Sequence, residues 1–314
     1  MRTFLVTGGA GFIGSHIVHA LVARGDKVRV LDNLSTGKLS NLAQVQDRVE
    51  FIEGDLIDAS AVAAAVQGVE CIFHEAALAS VQRSVERPLD TNAACVTGTL
   101  NVLDQARKAK VRRVVYAGSS SAYGNQPHSS KRETDQLLPI SPYGASKLAA
   151  ELYMHAFAAM QEIETVTLRY FNVFGPRQDP FGEYSAVIPR FITAMLQKQS
   201  PVVYGDGHQS RDFTYIDNIV QGNLLAADAP NVSGRVFNIA AGNKISLLEL
   251  LQGLNKVLKT EVKPRFEPAR QGDVRESLAD ITLARQYLGY EPTIGFEEGL
   301  RRSIDYYLSV TPSK

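Results

Sequence analysis

The stretch TFLVTGGAGFIGSH, residues 3–16, decides the fold. An apolar, β-branched run ends in closely spaced glycines, and a helical pattern follows directly. Gly9, Gly11 and Gly14 fit G-x-G-x-x-G, and Gly8, Gly11 and Gly14 fit the variant G-x-x-G-x-x-G. A lone glycine match is weak, because a plain tight turn produces it too. The context adds weight. A strand that turns on glycines into a helix lets the backbone approach a pyrophosphate, and the helix N-terminus offers N–H groups and positive potential. Asp32 then ends the second strand signal. A carboxylate there accepts hydrogen bonds from an adenosine ribose and repels a 2′-phosphate. No arginine follows directly, so the pattern predicts NAD rather than NADP.

Outward from this turn, strand signals recur at 3–8, 27–33, 49–55, 71–77, 112–119 and 165–172. They are apolar runs with little alternation, as expected of strands buried on both faces. Helical patterns at 12–24, 59–66, 91–109 and 142–161 separate them. The β-α alternation predicts an α/β fold, a parallel sheet with helices on both faces. After Asn172 loops lengthen and grow rich in Gly and Pro. Helices are expected at 185–198, 217–227, 246–258 and 296–308, and the strand 236–240 reads as a return to the main sheet. A second, smaller part is expected at the C-terminal edges of the strands, where open α/β sheets bind ligands.

The 314 residues suffice for one large domain or two joined ones. Lys plus Arg equals Asp plus Glu at 33 each, so nothing signals nucleic acid or an anionic membrane as partner. An anionic ligand must then be held by local arginines. Two cysteines, Cys71 and Cys95, are too few for a disulfide framework or a metal cluster, and no metal site is expected. No stretch approaches the ~20 apolar residues of a membrane span. MRTFLVTGG lacks the apolar run of a signal peptide, so a reducing, cytoplasmic location is expected.

SPYGASK, residues 141–147, carries the candidate chemistry. Ser141 suits an N-cap and Pro142 the first helical position. Tyr143 and Lys147 then share one helix face. An ammonium roughly 6 Å from a phenol contributes about 3 kcal/mol at an effective dielectric near 20. That predicts a phenol drawn down by about two pKa units, towards the range of a general base. Ser119, Ser120 and Ser121 lie where the fifth strand leaves the sheet. A hydroxyl there could hold a substrate hydroxyl and relay its proton to Tyr143.

Together TGGAGFIG, the strand-end serines and the Tyr143–Lys147 pair resemble the extended short-chain dehydrogenase/reductases, the NAD-dependent epimerase/dehydratase family. The similarity spans essentially the whole chain. It includes Asp55 in GDL, Ala76-Ala77, RYFNVFGPRQ (169–178) and RDFTYID (211–217). Within the family the chain looks most like the nucleotide-sugar 4-epimerases of the UDP-glucose and UDP-N-acetylglucosamine type. The resemblance implies a Rossmann-type doubly wound sheet holding NAD, over 1–172 and 213–242, with a smaller α/β domain for a nucleotide sugar over 173–212 and 243–314. It implies Gly8, Gly11, Phe12, Ile13, Gly14, Asp32, Asn33, Asp55, Leu56, Ala76 and Ala77 at the cofactor, with Tyr143 and Lys147. It implies Ser80, Ser119, Ser120, Ser121, Tyr143, Asn172, Arg211, Arg270, Asp273 and Ser277 at the UDP-sugar, the arginines near the diphosphate. It also implies a homodimer paired through the helices 91–109 and 142–161.

The reaction implied is reversible oxidation at C4. Tyr143 takes the 4-hydroxyl proton as C4 gives hydride to NAD, the 4-keto sugar turns over, and hydride returns to the opposite face. Ser119 aligns the 4-oxygen and Lys147 stabilises the phenolate. Dehydratases of the family carry Asp-Glu where this chain has Ser120 and Ser121, and related decarboxylases keep a glutamate there, so epimerisation is favoured. The other readings are a UDP-glucuronate 4-epimerase, a 4,6-dehydratase, a decarboxylase, or a non-catalytic NAD-binding regulatory protein. Ser277 stands at a gate beside the sugar that is bulky in epimerases restricted to plain hexoses, so room for a 2-N-acetyl group is expected. One departure concerns CVTGT, 95–99, where Cys95 replaces the family's asparagine. Asn92, nearly one turn earlier, is the candidate replacement.

Overall fold

The computed structural model describes residues 2–128, 130–182, 185–269 and 275–310. Its centre is a seven-stranded sheet of β1 (Thr3–Thr7), β2 (Lys27–Asp32), β3 (Val49–Glu53), β4 (Cys71–His74), β5 (Arg113–Ser119), β6 (Glu164–Tyr170) and β7 (Arg235–Ile239). All neighbours pair in parallel, in the order β7-β6-β5-β4-β1-β2-β3. The order reverses between β1 and β4, which opens a crevice at their C-terminal ends.

Successive residues of a strand point to opposite faces, and both faces are covered. Phe4, Val6, Phe73 and Val115 pack on one side with α1 (Phe12–Ala23) and the later helix α5 (Ile216–Asp228). Leu5, Ile72, Val114 and Tyr116 pack on the other with α2 (Ala59–Ala65), α3 (Gly98–Lys108) and α4 (Pro142–Ala159). This is the Rossmann-type doubly wound arrangement expected of the sequence.

The helix expected over 91–109 is not continuous. A short helix, Pro88–Asn92, runs into a π-turn, Ala93–Thr97, before α3 begins. Thr99 Oγ1 donates to the Cys95 carbonyl at 2.6 Å within this segment. Such turns insert one extra residue and rotate the side chains that follow.

A second, four-stranded sheet joins Ile245–Ser246, Ser210–Arg211, Glu276–Ala279 and Ser130–Lys131. A buried polar network ties it to α4. Arg169 on β6 donates through Nε to Glu151 of α4 at 2.9 Å and through Nη1 to the Tyr123 hydroxyl at 2.7 Å. Tyr123 donates to Asn238 Oδ1 at 2.7 Å, and Asn238 Nδ2 donates to the carbonyls of Lys131 and Asp280 at 3.0 and 3.1 Å. Arg169 and Glu151 are buried, so removing one charge strands the other. Glu151→Gln is expected to lower unfolding free energy by about 3–5 kcal/mol, measured by urea denaturation. Among the described residues no helix is long and apolar enough to cross a membrane.

Candidate active site

The glycine turn takes the shape its sequence asks for. Gly8 sits at φ +68°, and a Cβ on Gly14 would lie 2.2 Å from the Gly8 carbonyl oxygen. Gly11 begins α1 without a capping side chain. The first-turn amides therefore meet no side-chain acceptor, which suits an anion.

A cavity of about 720 Å³ opens over this turn. Gly8, Gly11, Phe12, Ile13 and Gly14 form its floor, with Asp32 and Asn33 from the end of β2. Asp55, Leu56, Ala76, Ala77 and Ser80 line the adjoining walls. Asp32 is fixed by the amides of Ala10 at 2.9 Å and Leu34 at 2.8 Å. Burial raises its pKa, and those two amide bonds oppose the rise. Asn33 Nδ2 donates to Asp55 Oδ2 at 2.7 Å, so the two residues form one polar edge. These residues fit a dinucleotide: a side-chain-free cradle for pyrophosphate and a fixed carboxylate for a ribose.

The hydroxyl groups form a cluster beside this cavity and are not part of its lining. Ser119 ends β5 and accepts from the Ser121 amide at 3.1 Å. Its hydroxyl lies near the Tyr143 phenol and favours its ionised form. Tyr143 is held there because α4 starts close to the serine loop. Ser141 caps the helix by accepting from the Gly144 amide at 3.1 Å, and a Cβ on Gly144 would lie 2.6 Å from the Ser121 carbonyl oxygen. Lys147 is buried one turn later, its Nζ 4.4 Å from the centre of the Tyr116 ring.

The electrostatics of this pair run against the sequence arithmetic. The phenol of Tyr143 is pushed up, first by burial and then by Cys95, with the nearby Ser119 hydroxyl opposing. The arithmetic counted an ammonium and could not see the loss of water, and Lys147 lies on the face of Tyr116 instead. Burial also lowers the pKa of Lys147, opposed by Cys95, Glu75 and Glu151. Cys95 thus faces the site, while Asn92 is exposed and does not take the place of the missing asparagine.

The remaining positions lie at the small sheet. Arg211 and Ser277 are register partners across two parallel strands. Arg211 Nη1 donates to the Ser210 carbonyl at 2.9 Å, and Ser277 is buried. Asn172 follows β6 at φ +32°, and its carbonyl accepts from the Thr214 amide at 3.2 Å. Arg270 and Asp273 lie outside the described residues. Glu75, Arg83 and Arg177 also line the cavity and carry no assignment from the sequence. Arg177 stood in view within GPRQ, and Glu75 within FHEAA, but neither pattern says that the side chain turns inward.

Sheet order, glycine cradle and the β2 carboxylate define a dinucleotide-binding protein of the Rossmann type. Residues 4–240 match the model of the NAD dependent epimerase/dehydratase family. The UDP-glucose 4-epimerase of Mycolicibacterium smegmatis is 37% identical over 311 residues, which span 98% of each chain. The UDP-N-acetylglucosamine 4-epimerase of Methanobrevibacter ruminantium M1, solved with UDP-N-acetylmuramic acid, superposes with a TM-score of 0.94 at 39% identity over 98% of each chain. The UDP-glucuronic acid 4-epimerase of Bacillus cereus, solved with UDP-glucuronic acid and NAD, gives 0.92 at 30% identity over 98% of this chain and 100% of its own. The chain belongs to the NAD-dependent epimerase/dehydratase family, and its cofactor is NAD.

Proposed function

We propose that this protein is a UDP-sugar 4-epimerase that oxidises and re-reduces C4 of the sugar, with Ser119, Tyr143 and Lys147 as its catalytic residues. The observation that carries this is the close approach of the start of α4, with Tyr143 and Lys147, to the serine loop at the end of β5, where a Cβ on Gly144 would lie 2.6 Å from the Ser121 carbonyl oxygen, beside the glycine-floored cavity. NAD, when bound, supplies the acceptor and donor of the C4 hydride and brings a positive charge that opposes the upward shift at Tyr143. Ser119 holds the 4-oxygen and passes its proton to Tyr143. Lys147 keeps a cation buried one helical turn from the phenol and steadies its ionised form. Ser120 and Ser121 cannot act as carboxylic acids, which disfavours loss of water.

The segments 173–212 and 243–314 are read as the nucleotide-sugar domain. Arg211 and Ser277 project from its paired strands, the arginine suited to a diphosphate by its planar fork. A homodimer is part of the same reading. Leu89 and Leu152, on the short helix before the π-turn and on α4, are 83% and 61% exposed, and a second copy would cover them.

Separate incubations with UDP-GlcNAc, UDP-Glc and UDP-GlcA, read by proton NMR, test the reaction. A 4-epimer from at least one sugar is expected; a stable keto sugar, a decarboxylated product from UDP-GlcA, or no product from any of the three, in place of a 4-epimer, contradicts the proposal. On sugar preference, the small Ser277 favours acceptance of UDP-GlcNAc and UDP-GalNAc. Ser277→Tyr is expected to cut turnover of the N-acetyl sugars at least ~10-fold relative to UDP-Glc, the loss that overpacking a pocket by about 1.4 kcal/mol would bring. Equal rates on both sugars would remove Ser277 from the specificity argument.

A further inference from the structure

Glu75 plays no part in the reading above, yet its carboxyl group is placed as a ligand would be. It follows β4 directly, and its amide donates to the Thr7 carbonyl at 3.2 Å. Its Oε1 accepts from the Tyr170 hydroxyl at 2.9 Å. Its Oε2 is buried without a hydrogen-bond partner among the described residues. Tyr170 cannot serve both oxygens, since it has one proton and accepts from Asn223 Nδ2 at 2.7 Å on its other side. Either protonation state leaves Oε2 open, as a carboxylate oxygen lacking a donor or as an O–H lacking an acceptor. A carboxyl group with a purely structural role is normally satisfied. This one lines the cofactor cavity instead.

Its charged surroundings are few. Lys147 reaches it from α4, Tyr170 from β6 and Tyr116 from β5, and α5 contributes the uncharged Asn223. Lys147 is the one cation among these groups. Burial pushes the Glu75 carboxyl up to about 7, against the Tyr170 hydrogen bond and Lys147. A group so placed changes charge readily when a cation arrives beside it.

We propose that Glu75, a lining residue of the cofactor cavity whose Oε2 no donor among the described residues satisfies, is a charge-matching group for the nicotinamide half of the cofactor, its carboxylate favouring the oxidised, cationic ring over the reduced, neutral one. This rests on assigning the Tyr143–Lys147 end of the site to the nicotinamide. The consequence suits a reaction that must return each hydride it removes. A site that favours oxidised cofactor drives the return step and shortens the life of the ketone.

The sign of the pH dependence follows. With oxidised cofactor bound, the cation lowers the pKa of Glu75. With reduced cofactor bound, the carboxyl stays protonated to higher pH. Preference for NAD+ over NADH therefore rises with pH across the range between these two pKa values, and levels off once both forms hold an ionised Glu75.

The test equilibrates holoenzyme with mixtures of NAD+ and NADH and reads the bound reduced fraction by nicotinamide fluorescence, between about pH 6 and pH 8.5. In the wild type the preference for NAD+ is expected to rise on the order of tenfold. Glu75→Gln is expected to flatten the profile and lower the preference at the alkaline end by a similar factor. Tyr170→Phe, which deletes the hydrogen bond to Oε1, is expected to move the rise to higher pH. A flat wild-type profile overturns the proposal, as does a rise that persists in Glu75→Gln, which would assign it to Lys147 or Tyr143. Should Glu75→Gln not fold, an unmoved profile in Tyr170→Phe overturns it equally. Failure here leaves the epimerase reading intact if Tyr143→Phe still abolishes turnover; if that variant turns over normally, the epimerase reading has failed on its own.

Discussion

Replacing Tyr143 with phenylalanine is expected to lower epimerase turnover by about 10³-fold, within the range that a positioned acid–base group contributes, while bound NAD is retained. The substitution deletes one oxygen and keeps the ring. The phenol that faces Ser119 and takes the proton in the proposed reaction is lost. Because burial raises the phenol pKa, the residual protonated fraction at neutral pH is large, and wild-type turnover is expected to climb as pH rises. The variant should lose that climb along with the rate. Steady-state turnover across pH, with bound NAD quantified after denaturation, checks both parts. Normal turnover with a normal pH profile would show that the proton goes elsewhere.

Gly14→Ala is expected to be the most damaging single-methyl change at the cofactor. The new Cβ would stand 2.2 Å from the Gly8 carbonyl oxygen, 2.8 Å from its carbon and 2.9 Å from Gly9 Cα. All three neighbours are backbone, so no side chain can swing aside. The turn must open, and with it the cradle that receives the pyrophosphate. Weakening of NAD binding by about a hundredfold is expected, the equivalent of ~2.7 kcal/mol. A stability loss of about 1–3 kcal/mol should accompany it. Gly295→Ala serves as control, since a Cβ there meets nothing within 4 Å. Calorimetric titration with NAD and thermal melts of both variants measure the contrast. Wild-type affinity in Gly14→Ala would mean that the turn is not the cofactor cradle.

The main sheet was legible because its strands are buried on both faces and so read as unbroken apolar runs. CIFH and RRVVYAGS are cases in point, and their β-strands end within a few residues of the expected bounds. The glycine turn was legible because sterics at Gly8 and Gly14 leave no other residue type room. The small sheet was not. Ser130–Lys131, Ser210–Arg211 and Ile245–Ser246 are two residues each, too short to show a period, and exist only through pairing across the fold. The π-turn at Ala93–Thr97 was hidden inside a window that looks evenly helical. Glu75 shows a further limit. The strand signal 71–77 takes Glu75 in as one more strand residue, but the strand ends at His74, and only the packing of Tyr170 and Asn223 shows where the carboxyl group turns. Tyr143 shows the converse: its partners were visible in the sequence, but burial, which sets the direction of its pKa, was not.

The network from Glu151 through Arg169, Tyr123 and Asn238 bears on how the two regions work together. It links the helix that carries Tyr143 and Lys147 to the sheet that carries Arg211 and Ser277. Each member is buried and hydrogen-bonded, so a shift at one end is costly at the other. The stability loss expected for Glu151→Gln should therefore come with reduced turnover even under conditions where the variant is fully folded.

In the proposed reaction hydrogen leaves C4 of a UDP-sugar and returns to the same carbon from the other side without escaping the protein. The direct measurement uses UDP-sugar carrying deuterium at C4, incubated in ordinary water and followed by NMR. A 4-epimer that keeps its deuterium at C4 is expected. A 4-epimer whose C4 deuterium has been exchanged for solvent hydrogen, or labelled sugar that never epimerises, would contradict the proposed reaction.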